Sequence, residues 1–191
     1  MTTDSNGEAV FKDLPFGTYV VKESSGLAGY VADTSGKTVV VNNVDGNEIT
    51  VINKQITFDL KVIKTDDSTP AEALQGVLFN VRNKKTGALV ATGETGTDGT
   101  VTFKDLPYAD YVVTEAKGLV GYTVAADQTV TTSEITADLD GTIEKTFVNE
   151  KQSATVRFVK RDSVNTTKYL AGAEFSVYNR KGELVLSLIH I

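Results

Sequence analysis

Apolar and polar residues alternate with a period of two along most of the chain. In the run Ile56 to Lys64, residues Ile56, Phe58, Leu60, Val62 and Lys64 share one parity, while Thr57, Asp59, Lys61 and Ile63 share the other. Successive strand side chains face opposite ways, so the first set predicts a core face. Further runs follow: GVLFNVRN, ALVATGE, GTVTFKDL, DYVVTEA, GYTVAADQTVTT and TIEKTFVNE. Between them lie turn-rich stretches, DDSTPAE, KKTG, GTDG, LPYA, AKG and DLDG. No segment carries a helical period. About seven short strands in roughly 96 residues predict an all-β, immunoglobulin-like sandwich.

The same pattern recurs along the chain. FKDLP at Phe11 returns at Phe103 and YVVKE at Tyr19 returns as YVVTE at Tyr111, both 92 residues later. VIKTD at Val62 returns as FVKRD at Phe158, and LQGVLFNV at Leu74 as LAGAEFSV at Leu170, now 96 residues apart; Asn53 and Asn149 are separated by the same 96. A fixed period defines the unit of organisation. The expected division is the C-terminal half of one module at 1–54, a complete module at 55–151 and the N-terminal part of a third at 152–191. Residues 186–191, LSLIHI, match nothing in the repeat and read as run-on from an artificially ended frame rather than as structure.

Three polar residues of the complete module fall on predicted core faces. Lys64 ends the apolar row of the first strand, Glu115 is co-facial with Tyr111 and Val113, and Asn149 with Phe147. The first module repeats the second and third of these as Glu23 and Asn53, and the third module repeats the lysine as Lys160. Taken singly, a strand-end Lys snorkels, a Glu there is half exposed and an Asn makes a turn. Their joint appearance matters because buried polar groups are costly unless they satisfy one another. A buried amine is pushed towards its neutral, nucleophilic form. Held against the carboxamide carbon of Asn149, Lys64 could attack while Glu115 donates a proton to the amide oxygen and relays one to the departing ammonia. The product would be an isopeptide cross-link formed once per chain, with no turnover.

Composition narrows the alternatives. A net charge of -6 argues against a nucleic-acid partner, since phosphate binding needs clustered Lys and Arg. Cysteine is absent and the single histidine is His190, so thiolate or two-histidine metal sites and a His-dependent triad cannot be built. No cofactor and no metal is expected; DLDG and TDSNG read as turns rather than calcium loops. No stretch has the roughly 18 apolar residues of a membrane span, and no signal peptide is visible at the N-terminus.

The segments KTDDS with LQGVLFNV, TGTDGTVTFKDLPYADYVVTEAKGLVGY and FVNEK resemble the Cna protein B-type repeat, also called the SpaA-like or prealbumin-like domain, of Gram-positive surface adhesins and pilins. The resemblance covers the middle module and both partial ones. It implies a seven-stranded prealbumin-like sandwich, an extracellular, cell-wall-anchored stalk role, neighbouring repeats as partners, host matrix protein contacted through other domains, and an autocatalytic Lys–Asn bond assisted by the boxed acid. By position it assigns Lys64, Glu115 and Asn149 in the middle module, Glu23 and Asn53 in the first and Lys160 in the third. Some relatives use a lysine three positions earlier, which here is Lys61. Parity and Arg157 at the equivalent place in the third module favour Lys64, because arginine could not form the bond.

Two other readings compete. A ligand-presenting module would use the loops DDSTPAE and AKGLVGY against a host protein or glycan, although no aromatic cluster or basic patch accompanies them. A hydrolase would lack a histidine or cysteine nucleophile system. The partial modules also raise head-to-tail complementation between chains, Glu23 and Asn53 of one meeting Lys160 of another.

Overall fold

The computed structural model describes residues 1–136 and 141–187. Its strands in chain order are β1 (Gly17–Val21), β2 (Tyr30–Val31), β3 (Lys37–Val41), β4 (Lys54–Gln55), β5 (Thr57–Asp66), β6 (Leu78–Asn83), β7 (Leu89–Glu94), β8 (Thr100–Pro107), β9 (Tyr111–Lys117), β10 (Gln128–Val130), β11 (Thr142–Asn149), β12 (Ser176–Tyr178) and β13 (Leu184–Ser187), with one 3₁₀ turn at Thr132–Glu134. The chain is all-β, and it divides into two compact units, Met1–Gln152 and Ser153–Ile191.

The middle of the first unit is a sandwich. One sheet has the order β10-β9-β6-β7 and the other β11-β5-β8. All pairings are antiparallel except β11 with β5, which run parallel from Thr142 opposite Asp59 to Asn149 opposite Asp66. Alternation is strict along β5, where every second residue from Phe58 to Asp66 is buried. Phe58, Leu60 and Val62 thus meet Val77, Phe79, Val81, Tyr111 and Val113 from the opposite sheet. Two tilted aromatic pairs cross the interior, Phe79–Phe147 at 4.9 Å and Phe58–Tyr111 at 5.8 Å between ring centroids. The Tyr111 hydroxyl donates to the Pro107 carbonyl at 2.7 Å, which satisfies the one polar atom that this buried ring carries.

The run GYTVAADQTVTT is strand only at Gln128–Val130, apart from an isolated bridge at Tyr122. The intervening backbone donors go elsewhere: Thr123 N–H to the Glu150 carbonyl at 2.9 Å and Ala125 N–H to the Glu115 carboxylate at 3.2 Å. Those bonds replace a ladder. The DLDG turn lies outside the described residues, as do His190 and residues 188–191 of the tail; Leu186 and Ser187 belong to β13.

Within residues 1–55, β1 pairs with β3 and β2 with β4. Tyr19 repeats the hydroxyl bond of Tyr111, donating to the Pro15 carbonyl at 2.8 Å. Residues 153–187 form the second unit, with β12 and β13 as a hairpin.

Candidate functional site

At the end of β5 the inward row of apolar side chains gives way to Lys64, which is fully buried. Its backbone is gripped on both sides: Lys64 N–H donates to the Gly99 carbonyl at 2.7 Å and Leu74 N–H donates to the Lys64 carbonyl at 3.0 Å. Gly99 has φ +71°, and a Cβ there would stand 2.5 Å from the Lys64 carbonyl oxygen, so only glycine lets the two segments approach this closely.

The Lys64 ammonium donates to the carbonyls of Thr65 and Phe147, both at 3.0 Å. Phe147 lies directly opposite Lys64 in the parallel register, and Asn149 lies two positions further along the same inward face of β11. Asn149 is fully buried and donates from Nδ2 to Glu115 Oε1 at 2.8 Å. Glu115, at 5 % exposure, comes from the facing sheet, where Tyr111 and Val113 precede it on the inner side of β9. Its second oxygen accepts from Ala125 N–H at 3.2 Å. Asn149 Oδ1 is buried without a hydrogen-bond partner, an unusual state for an amide acceptor.

Burial pushes the Lys64 amine below its ordinary value of 10.5, opposed by the nearby negative charges of Glu115 and then Asp66. The buried carboxylate of Asp66 accepts from the Lys151 ammonium at 2.8 Å, Glu72 N–H at 2.8 Å and Ser68 N–H at 3.1 Å. The hydrogen bond from Lys151, then that from Glu72, holds it well below the usual carboxylate range. This pair ties the end of β5 to the residue group just past β11.

Lys61 sits on the outer face of β5, where it meets Glu144 at 2.9 Å. Glu23 and Asn53 repeat the acid–amide pairing: Asn53 Nδ2 donates to Glu23 Oε1 at 2.8 Å and Asp33 N–H to Glu23 Oε2 at 2.8 Å, with both side chains half-buried. Lys160 is exposed in the second unit. The structure therefore brings together Lys64, Glu115 and Asn149, and separately Glu23 and Asn53, with Lys61 directed away from the former group.

Sequence reasoning passed over Gly118 and the Asp66–Lys151 pair. A Cβ at Gly118 would lie 2.6 Å from Glu115 Oε1, so a side chain there would displace the carboxylate. Its signal was available as the shared glycine of AKGLVGY and SSGLAGY. Asp66 and Lys151 are 85 positions apart, and nothing local announces that they meet.

The sequence matches the family described as SpaA, prealbumin-like fold domain, over residues 1–55 and 58–151. The chain belongs to that family. Among solved structures, the SpaA-type chain is similar to the Bacillus anthracis TIE protein, with 27% identity and a TM-score of 0.79 over 97% of this chain and 34% of that one. The chain thus spans about a third of the length of that relative. It is also similar to the shaft pilin SpaA of Lactobacillus rhamnosus GG (26% identity, TM-score 0.43, 67% of this chain and 63% of that one) and to GBS52, the minor pilin of Streptococcus agalactiae (22% identity, TM-score 0.46, 81% and 68%). No curated protein matches it in sequence.

The position of Lys64 carries a pH dependence, readable in Asn149→Ala, where the amine has no amide to attack. The unfolded chain keeps its Lys64 proton up to about pH 10.5, whereas the folded chain releases it at lower pH. In that window the native state binds fewer protons, so its stability rises with pH, by at most about 1.4 kcal/mol per unit for one group, and levels off above the unfolded value. Urea unfolding of Asn149→Ala at pH 7 to 10.5 should show this rise, and Lys64→Met/Asn149→Ala should lose it.

Proposed function

We propose that this chain is a stalk segment of a Gram-positive cell-surface adhesin or pilin, whose complete repeat closes itself with an isopeptide bond between Lys64 and Asn149. The carrying observation is the burial together of an amine, an amide and a carboxyl, with the carboxyl already hydrogen-bonded to the amide at 2.8 Å. The dry surroundings favour the neutral amine.

The chemistry uses the residues as follows. Lys64 Nζ attacks Asn149 Cγ, forming the new C–N bond and a tetrahedral centre whose oxygen takes up the displaced electron pair. Lys64 first passes one ammonium proton to Glu115; the acid so formed, beside the amide group, lends that proton to Oδ1 during the attack once the amide turns that atom towards it, and recovers it as the carbonyl re-forms. The surplus amine proton passes through the same carboxyl to the leaving nitrogen, Cγ–Nδ2 breaks and ammonia departs. Fixed geometry supplies much of the drive, because well-oriented groups reach effective molarities of about 10⁵–10⁸ M. The folded core acts once on itself, and the chain is no enzyme.

In the stalk reading, neighbouring repeats of the same chain are the immediate partners and the bond serves mechanical continuity. Intact mass of the purified chain is the test. One condensation expels ammonia, so the mass should fall about 17 Da below that of the sequence, and Glu115→Ala should recover the full value. A wild-type chain of full mass would remove the cross-link.

A further inference from the structure

We propose that Lys151 is a positioning residue for the cross-link: seated on Asp66, its ammonium cancels the buried negative charge that the fold sets beside Lys64, and so speeds the condensation. The rate effect rests on the cross-link reading above; the charge effect does not.

The parallel register places these groups. Lys64 and Asp66 are successive inward residues of β5, and Asp66 lies directly opposite Asn149. Lys151 follows Asn149 by two positions, so it continues the inward row of β11 just past the end of that strand. Its ammonium reaches back to Asp66 Oδ2 at 2.8 Å and also meets Ser68 Oγ at 2.8 Å and Glu72 Oε2 at 3.2 Å. The backbone that carries it is held from both sides. Lys151 N–H donates to Asp67 Oδ1 at 3.1 Å, Glu150 N–H to Thr123 Oγ1 at 3.0 Å and Gln152 N–H to the Gly121 carbonyl at 2.7 Å.

The loop after β5 explains why a carboxylate stands there. Asp66 Oδ1 accepts Ser68 N–H at 3.1 Å and Glu72 N–H at 2.8 Å, and Oδ2 accepts the Ser68 hydroxyl at 3.0 Å. The Asp66 N–H donates in turn to the Glu72 carbonyl at 2.9 Å. A short acceptor side chain that folds the following backbone onto itself is a turn device. Each carboxylate oxygen thus has a partner without Lys151, so what the ammonium supplies is charge rather than a missing hydrogen bond.

The turn needs that carboxylate; the chemistry does not. Condensation begins when Lys64 gives up a proton, which burial favours and a neighbouring negative charge opposes. Among the described residues, the charges acting on Lys64 are Glu115 from β9, which takes the proton, and Asp66 from its own strand, which takes no part. From β11 it meets the Phe147 carbonyl, with the neutral amide of Asn149 two positions on. Around Asp66 stand Lys151 and Glu72, the latter 68% exposed and screened by solvent. The hydrogen bond to Asp66, then that to Glu72, holds Lys151 above the ordinary lysine value, so it stays charged wherever Lys64 titrates. Without Lys151 the three remaining donors keep Asp66 ionised, and its charge falls on Lys64 uncancelled.

The 191-residue chain, made as insoluble aggregate and dissolved in urea before the fold can react, is diluted into buffers between about pH 5 and 10 and quenched at intervals for intact mass. Folding is followed in parallel by tyrosine fluorescence. Lys151→Met should lose the roughly 17 Da of ammonia about 3–10-fold more slowly at pH 7, with its rate–pH curve displaced upward by about 0.5–1 unit, and should still reach the full deficit. Lys151→Arg should keep the wild-type curve. Asp66→Asn/Lys151→Met removes both charges while the new amide oxygen still accepts from Ser68 and Glu72 N–H, and should return to that curve. A merely structural clamp would leave the curve of Lys151→Met in place, or leave the double variant as slow as the single one; either result overturns the inference. In Asn149→Ala, where no bond can form, the Lys64 Cε resonance reads the charge directly: its titration midpoint should rise with Lys151→Met and return when Asp66→Asn is added. A wild-type chain that never loses ammonia would remove the cross-link, and this titration then decides alone: a midpoint unmoved by Lys151→Met sinks the charge effect.

Discussion

Lys64→Met should lower the thermal midpoint of the complete repeat by about 20–35 °C. The substitution removes the amine while keeping an unbranched apolar stem of similar length in the buried slot, so the loss reports the cross-link rather than a stranded charge. A bond between residues 64 and 149 closes a loop of about 85 residues, and the chain-entropy treatment of cross-links gives about 4.5 kcal/mol for a loop of that size. For a domain under about 100 residues, each kcal/mol moves the midpoint by about 4–8 °C. Glu115 keeps its bonds from Asn149 Nδ2 and Ala125 N–H in this variant, so the hydrogen-bonded half of the site survives. Calorimetry of the two proteins settles it: equal midpoints would mean that no covalent closure exists in the wild type.

The second large effect concerns force. Pulling on the ends of the repeat loads the parallel β5–β11 pair in shear, since the chain enters at the start of one strand and leaves at the end of the other. With the bond in place, tension passes along residues 57 to 64, across to Asn149 and out, and residues 65–148 never feel it. Without the bond, rupture should release about 280–300 Å of contour from those residues, at about 3.3–3.6 Å each. Single-molecule extension of Asn149→Ala should show that step and the wild type should not. A step of the same length in both would contradict the cross-link. The ion pair of Lys151 with Asp66 joins the end of β5 to the segment just past β11 without covalency, so in the variant it resists the first stage of opening.

Much of this was legible in the order of residues. The two-residue alternation of Phe58, Leu60 and Val62 settles which face of β5 turns inward, because side-chain direction in a strand follows from local backbone geometry alone. The same parity carries Lys64 inward and Lys61 outward, and the recurrence of motifs at 92- and 96-residue offsets is visible with no knowledge of contacts. GYTVAADQTVTT shows where such reading ends: its alternation resembles a strand, yet Ala125 and Thr123 give their N–H groups to Glu115 and Glu150. Local pattern is silent about bonds made to residues distant in the chain.

Tertiary structure alone decided the partners. That β11 lies parallel to β5, with Phe147 opposite Lys64, depends on packing two strands some 80 positions apart, a choice made by the whole core of Phe79, Phe147, Phe58 and Tyr111. The same packing joins Glu115 to Asn149 across two sheets, leaves Asn149 Oδ1 without a partner, and needs Gly118 bare beside the carboxylate. The sequence by itself determined which polar groups must leave water, through strand parity; only the folded core, by setting register and burial together, decided which of them would meet.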